Sequence, residues 1–281
     1  MRGRSTNQDL ASSPSLYKGV VMNYGVPYQG SKSAIAERII KYLPEADTLY
    51  DVFAGGCAIS HCAMLSGKFK KIVMNDINPL GIKLFFSAVY GELPQIEHWI
   101  SREMFFKYRD TDPYISLVWS FGNNKRDYMY GKEIEKELHD LHEEYFSLKS
   151  KISRKEFLQR HRLRHVERYR RLVLLRSLIM NRCIKNAEVH KSDYRELEFN
   201  DNGIIYCDIP YENTNNSYRL SEKFCYSDFY EWAKKQTLPV YVSSYNLPDD
   251  LFLEVLSMNT TSKMNADRCF SVKEKLYLLK K

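Results

Sequence analysis

Asp208, Pro210 and Tyr211 follow the short apolar run Ile204, Ile205 and Tyr206. A carboxylate, a backbone carbonyl at Ile209 held by the following proline, and an aromatic ring thus fall together where a strand opens into a loop. Such a set accepts hydrogen bonds and offers a stacking face to a flat ligand. Two other strand ends carry similar potential. In "DVFAGGC" (51–57) a strand runs into Gly55-Gly56, where backbone can approach a ligand closely. In "MNDIN" (74–78), Asp76 falls 20 positions after Gly56, a spacing at which a carboxylate past a glycine turn takes the hydroxyls of a ribose. The pattern is not G-x-G-x-x-G, which disfavours a nicotinamide dinucleotide. Glycine turn and acid together favour a nucleoside cofactor without a pyrophosphate, although a glycine pair alone is an ordinary turn and a strand-end Asp an ordinary helix cap.

The elements that must hold these groups alternate at both ends of the chain. Apolar periodicity predicts a helix over 33–43, a strand over 48–53, a helix over 58–66 stopped by Gly67, a strand over 70–76 and a helix over 80–90. Residues from about 91 to 171 read as amphipathic, charged helix with no strand-length apolar run. Strands return at 203–208 and 239–244 with a helix over 228–236 between them, and 259–264 with 274–280 reads as a closing hairpin. β-α-β units on either side of a helical segment imply an α/β sheet flanked by helices with a lobe grafted on. In such sheets ligands bind beyond the C-terminal ends of the strands, where all three sets of candidate residues fall.

Composition limits the partners. The chain has 281 residues, 27% of them charged, and no apolar run near the roughly 20 residues of a membrane-spanning helix. The polar, Ser-rich residues 1–22 read as a disordered lead-in. Six cysteines show no CxxC pair, which fits reduced, buried thiols in a cytoplasmic protein, and no metal site is expected. Net charge is +7, yet 151–195 alone holds 14 Lys or Arg against 4 acids. That basic segment, preceded by the aromatic and amide-rich "WSFGNNKRDYMYGK" (119–132), suits a polyanion such as nucleic acid.

"PYQGSK" (27–32), "DVFAGG" (51–56), "NDIN" (75–78) and "CDIPY" (207–211), in that order, resemble the motifs of the S-adenosylmethionine-dependent DNA adenine-N6 methyltransferases of the Dam type, the D12 class. The resemblance covers about 25–90 and 190–245. It implies a Rossmann-like methyltransferase sheet flanked by helices, with a catalytic domain over 23–90 and 190–281. An inserted, mostly helical target-recognition lobe would span 91–189. The implied reaction moves a methyl group from S-adenosylmethionine to N6 of a flipped-out adenine at a specific site in double-stranded DNA. The resemblance also implies a cytoplasmic, nucleoid-associated enzyme of prokaryotic or phage origin and admits a cognate restriction endonuclease as partner.

By the same resemblance, Asp208 and the carbonyl of Ile209 accept the two N6 hydrogens, Pro210 fixes the turn and Tyr211 stacks on the base. Tyr28, Gly30, Lys32, Asp51, Phe53, Gly55, Asp76, Ile77, Asp193 and Asp208 line the cofactor. Asn123, Asn124, Lys125 and Arg126 are candidates for reading DNA, and Arg160, Arg162, Arg164, Arg168 and Arg171 for phosphate contacts. Two departures stand out. Ile209 replaces the first proline of D-P-P-Y, where a β-branched residue before Pro210 still favours extended backbone. Cys57 follows a glycine pair where F-x-G-x-G separates its glycines. Two rivals remain: the same fold acting on cytosine N4, and a non-catalytic, cofactor-sensing DNA binder.

Overall fold

The computed structural model describes residues 23–179, 184–200, 202–211, 224–265 and 268–281; the expected lead-in lies outside them. Four strands are parallel: β1 (Thr48–Asp51), β2 (Lys71–Asn75), β3 (Ala187–His190) and β4 (Gly203–Cys207). Parallel β5 (Val240–Ser244) follows, and the antiparallel pair β6 (Phe252–Asn265) and β7 (Arg268–Leu279) closes the sheet. The order is β3-β2-β1-β4-β5-β7-β6, the Rossmann-like arrangement expected of a methyltransferase sheet. β1, β4 and β5 are buried along their whole length. Parallel strands covered on both faces read as near-continuous apolar runs, which is why "IIY" and "PVYV" stand out in the sequence, while buried Thr48, Asp51, Ser243 and Ser244 stand at strand ends.

Chain direction across the sheet reverses between β1 and β4. Successive strands step outward from β1 to β3 on one side and from β4 onward on the other. A crevice opens at the C-terminal ends of β1 and β4 at such a switch point, and Asp51 and Asp208 stand there.

Among the described residues, α1 (Ala36–Tyr42), α2 (Ala58–Ser66) and α3 (Leu80–Tyr90) pack on one face of the sheet. Gly67 and Gly91 close α2 and α3 in left-handed conformations, where the absence of a Cβ removes the steric penalty. The helices α4 (Arg102–Tyr108), α5 (Pro113–Val118), α6 (Glu135–Ser147), α7 (Lys151–Arg160) and α8 (Arg164–Ile179) follow. Ser101, Asp112 and Ser150 cap α4, α5 and α7 by accepting from backbone N–H groups of the first turn. On the opposite face of the sheet, α9 (Tyr226–Lys234) buries Phe229, Trp232 and Ala233 beside Ile205, Cys207 and Ile209.

The lobe is not a separate body hung on the sheet. Leu117, Trp119, Tyr128, Tyr130, Leu172 and Leu175 join the same apolar cluster as Phe85 and Ala88 of α3. Its outer half has a small core of its own around Tyr145, Phe157, Leu163 and Val166. β3 begins inside the stretch that reads as insertion and crosses its end at 189. It is half-buried, and Val is its one strong β-former, so its pairing with β2 is imposed by the sheet rather than announced by local sequence.

Candidate active site

The N-terminal motif lies directly on the glycine loop. Val26 donates its backbone N–H to the Gly56 carbonyl at 2.8 Å, and the Tyr28 ring covers Gly55 and Gly56. Gly55 has φ +49°, and a Cβ at Gly81 would stand 1.9 Å from the Gly55 oxygen. The start of α3 therefore closes on the loop only because position 81 carries no side chain. Cys57 adopts φ +60°, ψ 28°, the left-handed conformation a glycine would take without penalty. The departure from the F-x-G-x-G spacing thus leaves the backbone path intact, at roughly 1–2 kcal/mol of local strain.

Three carboxyls gather at adjacent strand ends. Asp76 accepts from the N–H groups of Gly55 and Asn78, each at 2.8 Å. It thereby ties the glycine loop to the end of β2. Asp51 accepts from Ser60 Oγ at 2.5 Å and Ser60 N–H at 3.2 Å, which turns its carboxylate into the first turn of α2. Asp51 supports the loop from behind. Burial pushes Asp51 up to about 7, with the charges of Asp208 and Asp76 adding to it. Burial likewise raises Asp76 and takes Asp208 up to about 6. Glycines that admit close approach and half-buried acids with raised pKa values fit a ligand with hydroxyls and a positive charge.

Asp208 is met by Lys32, whose ammonium donates to Oδ1 at 2.8 Å. The same ammonium stands 3.5 Å from Glu274 and 4.8 Å from the centre of the Tyr211 ring. Tyr211 donates its hydroxyl to Glu274, and its ring lies 4.4 Å from that of Tyr245. Tyr226 donates to the Pro210 carbonyl at 2.8 Å and so orients the turn. Ile209 sits in the apolar cluster with Phe229 and Trp232, so the residue that replaces a proline is fixed by packing.

Other expected residues lie further out. Gly30 accepts from Lys32 at 3.1 Å. Ile77 is 47% exposed beside Asp76, placed to cover a flat ligand. Phe53 belongs to an aromatic wall with Tyr194, Phe224 and Phe229. Asp193 is paired with Arg195 at 2.7 Å and caps the short turn after it.

The candidate DNA residues divide. Arg160, Arg162 and Arg164 are exposed at the α7–α8 corner. Arg168 and Arg171 turn inward instead. Arg168 donates to the carbonyls of Val118 and Ser120, each at 2.7 Å, and burial lowers its guanidinium to about 10. Arg171 donates to the Tyr24 carbonyl at 3.1 Å and is lowered by burial too. Neither guanidinium is presented to a phosphate. Asn124 is buried, donating to Asp127 and accepting from the N–H groups of Arg126 and Asp127; its amide closes a loop. Asn123 donates to the Leu117 carbonyl at 2.7 Å, and Arg126 pairs with Asp127 at 2.8 Å. Lys125 leaves its neighbours altogether and reaches the wall of the glycine loop, donating to the Tyr28 hydroxyl at 2.9 Å.

Sequence reasoning misses Glu274, Tyr226 and Asn75. Asn75 donates to the carbonyls of Val52 and Ser192, each at 3.1 Å, and locks the ends of β1 and β3 together. It sits inside the quoted motif, so the signal was present beside Asp76. Glu274 has no local signal: a lone acid in the alternating strand "VKEKLYLL" reads as solvent-facing, and the fold buries it.

The D12 class N6 adenine-specific DNA methyltransferase family matches this chain over residues 28–252. No curated protein matches it. Among solved structures, one from Haemophilus influenzae, described provisionally as a methylase, HI0767, shares 11% identity over 87% of each chain with a TM-score of 0.34.

Proposed function

Since the chain belongs to the D12 class of N6 adenine-specific DNA methyltransferases, we propose that its switch-point crevice transfers the methyl group of S-adenosylmethionine to a flipped-out adenine at a specific DNA site. The observation that carries this reading is the placement of Asp208, Ile209, Pro210 and Tyr211 at the end of β4, beside the glycine loop. Adenine N6 is a weak nucleophile because its lone pair is delocalised into the ring. Asp208 accepts one N6–H and the Ile209 carbonyl the other, which holds the amine toward tetrahedral geometry and frees the lone pair. Tyr211 and Tyr245 supply aromatic faces for the extruded base, stacking being worth about 1–3 kcal/mol per base. Asp76 takes the ribose hydroxyls, and Ile77 covers the adenine of the cofactor. S-adenosylmethionine supplies an electrophilic methyl on a sulfonium centre. Asp208 then takes the proton that N6 loses, its raised pKa making it a better base than an ordinary carboxylate.

Incubation of plasmid DNA with labelled S-adenosylmethionine, followed by nucleoside mass spectrometry, is expected to yield N6-methyladenine. N4-methylcytosine in its place would overturn the choice of base, and no labelled nucleoside would overturn the reaction.

Asp208 accepts N6–H only when ionised. With its pKa raised by burial to about 6, the rate is expected to hold above that pH and to fall about tenfold per unit below it. Lys32 holds the Asp208 pKa down, so in Lys32→Met the acidic limb should move to higher pH. A pH profile of kcat/KM for the cofactor checks both; a limb near pH 4 in the wild type would sink the assignment.

A further inference from the structure

At Lys125 the loop 121–127 is built against local preference. Gly122, Asn123 and Lys125 have φ of +56°, +59° and +63°, so two residues with side chains sit in the left-handed region within three positions. Asn123 accepts that region with its side chain bonded to the Leu117 carbonyl, whereas Lys125 carries strain of roughly 1–2 kcal/mol. The surroundings over-determine this shape. Phe121 N–H donates to the Asp127 carbonyl at 2.7 Å, and Ser120 and Tyr128 form an antiparallel bridge. Lys125 N–H donates to Ser120 Oγ, while Arg168 gathers the carbonyls on the approach.

The product of this effort is one side chain's position. Lys125 crosses from the lobe to the wall of the crevice. Its ammonium lies 2.9 Å from the Tyr28 hydroxyl, 4.4 Å from the ring centre, and within electrostatic reach of Asp76. Tyr28 in turn covers Gly55 and Gly56. On the reading above, Asp76 marks the ribose and the glycine loop marks the chain leading from it. An anionic group at the end of that chain meets Lys125.

We propose that Lys125 is a cofactor-binding residue whose ammonium receives the carboxylate of the methionyl end of S-adenosylmethionine, so that the lobe closes one wall of the cofactor pocket. Burial lowers the Lys125 pKa, as expected of an ammonium held in a dry crevice where a carboxylate is a strong partner. The inference rests on the proposed function and extends it to a residue that the lobe supplies to the cofactor site.

The test is equilibrium binding by calorimetry with S-adenosylhomocysteine and with 5′-methylthioadenosine, which lacks the amino-acid portion. Lys125→Met is expected to weaken the first roughly 10- to 100-fold, the scale of a hydrogen bond to a charged group, and to leave the second within twofold. Lys125→Arg, which keeps charge and backbone demand, should restore most of the affinity for S-adenosylhomocysteine. Equal weakening of both ligands would make Lys125 a structural support of Tyr28 and overturn the proposal, as would no change in either. If the unaltered protein bound neither ligand, the cofactor assignment itself would fall, an outcome distinct from the others.

Discussion

Asp208→Asn is expected to lower the single-turnover rate of methyl transfer by at least about a thousandfold while leaving affinity for S-adenosylhomocysteine within a few fold. Asn keeps the shape and can still accept one hydrogen bond. It cannot take the proton that N6 must lose, a role worth about 10²–10⁴ in rate. It also removes the charge that stabilises positive character developing on the amine, typically another 3–4 kcal/mol for one well-placed group. The two effects act through one carboxyl and will not add in full. Asp76 and the glycine loop are untouched, so the cofactor should still bind. A rate within tenfold of the unaltered protein would remove Asp208 from the chemistry. A loss of cofactor affinity as large as the loss of rate would mean that it holds the cofactor instead.

The second large effect is on stability rather than rate. Arg168→Met should lower the melting temperature by roughly 6–12 °C, corresponding to about 3 kcal/mol in a chain of this size. Met fills much of the volume but leaves the carbonyls of Leu117, Val118 and Ser120 without the guanidinium that gathers them. In the same protein the slope of log DNA affinity against log salt should not change. Replacing two of Arg160, Arg162 and Arg164 by Ala should do the reverse, with little effect on melting and a slope shallower by up to about two units. Thermal unfolding and a salt titration on the two variants separate these roles. A shallower slope with unchanged melting in Arg168→Met would place its guanidinium on the phosphates after all.

That contrast shows where sequence is informative. Net charge over 151–195 is legible, because counting charges needs no coordinates. The direction of each arginine is not, because helical residues three or four apart share a face and only packing says what that face meets. Arg164 and Arg168 differ by one turn, yet one is exposed and the other half-buried with its guanidinium on backbone carbonyls. The same distinction runs through the site. α2 and α3 are readable to the residue, since glycine stops and apolar spacing act locally. β4 and β5, built on the apolar runs "IIY" and "VYV", are readable to within one residue at one end each. β3 is not, since its neighbours rather than its residues make it a strand. Asp76 and Asp208 carry spacing and motif signals. Lys125 and Glu274 carry none, because what brings them to the crevice is the path of the lobe in one case and an antiparallel partner strand in the other.

The position of the lobe in the chain also sets the order in which the sheet can be completed. β2 pairs with β3 through Ile72 and Ala187, and β1 pairs with β4 through Thr48 and Gly203. Pairings across so much chain are slow to form, since the loop must close before the contacts are gained. On a ribosome, β1, β2 and the glycine loop emerge first and wait for the whole lobe to be made. At ordinary synthesis rates that interval is on the order of 10 s. For its duration two apolar strands present unpaired edges, the kind of surface on which neighbouring chains aggregate. Local helices need no such wait. α8 can therefore settle against α3 and cover one face of the nascent sheet before either missing strand arrives, so the inserted lobe first serves as a shelter for the half-built sheet.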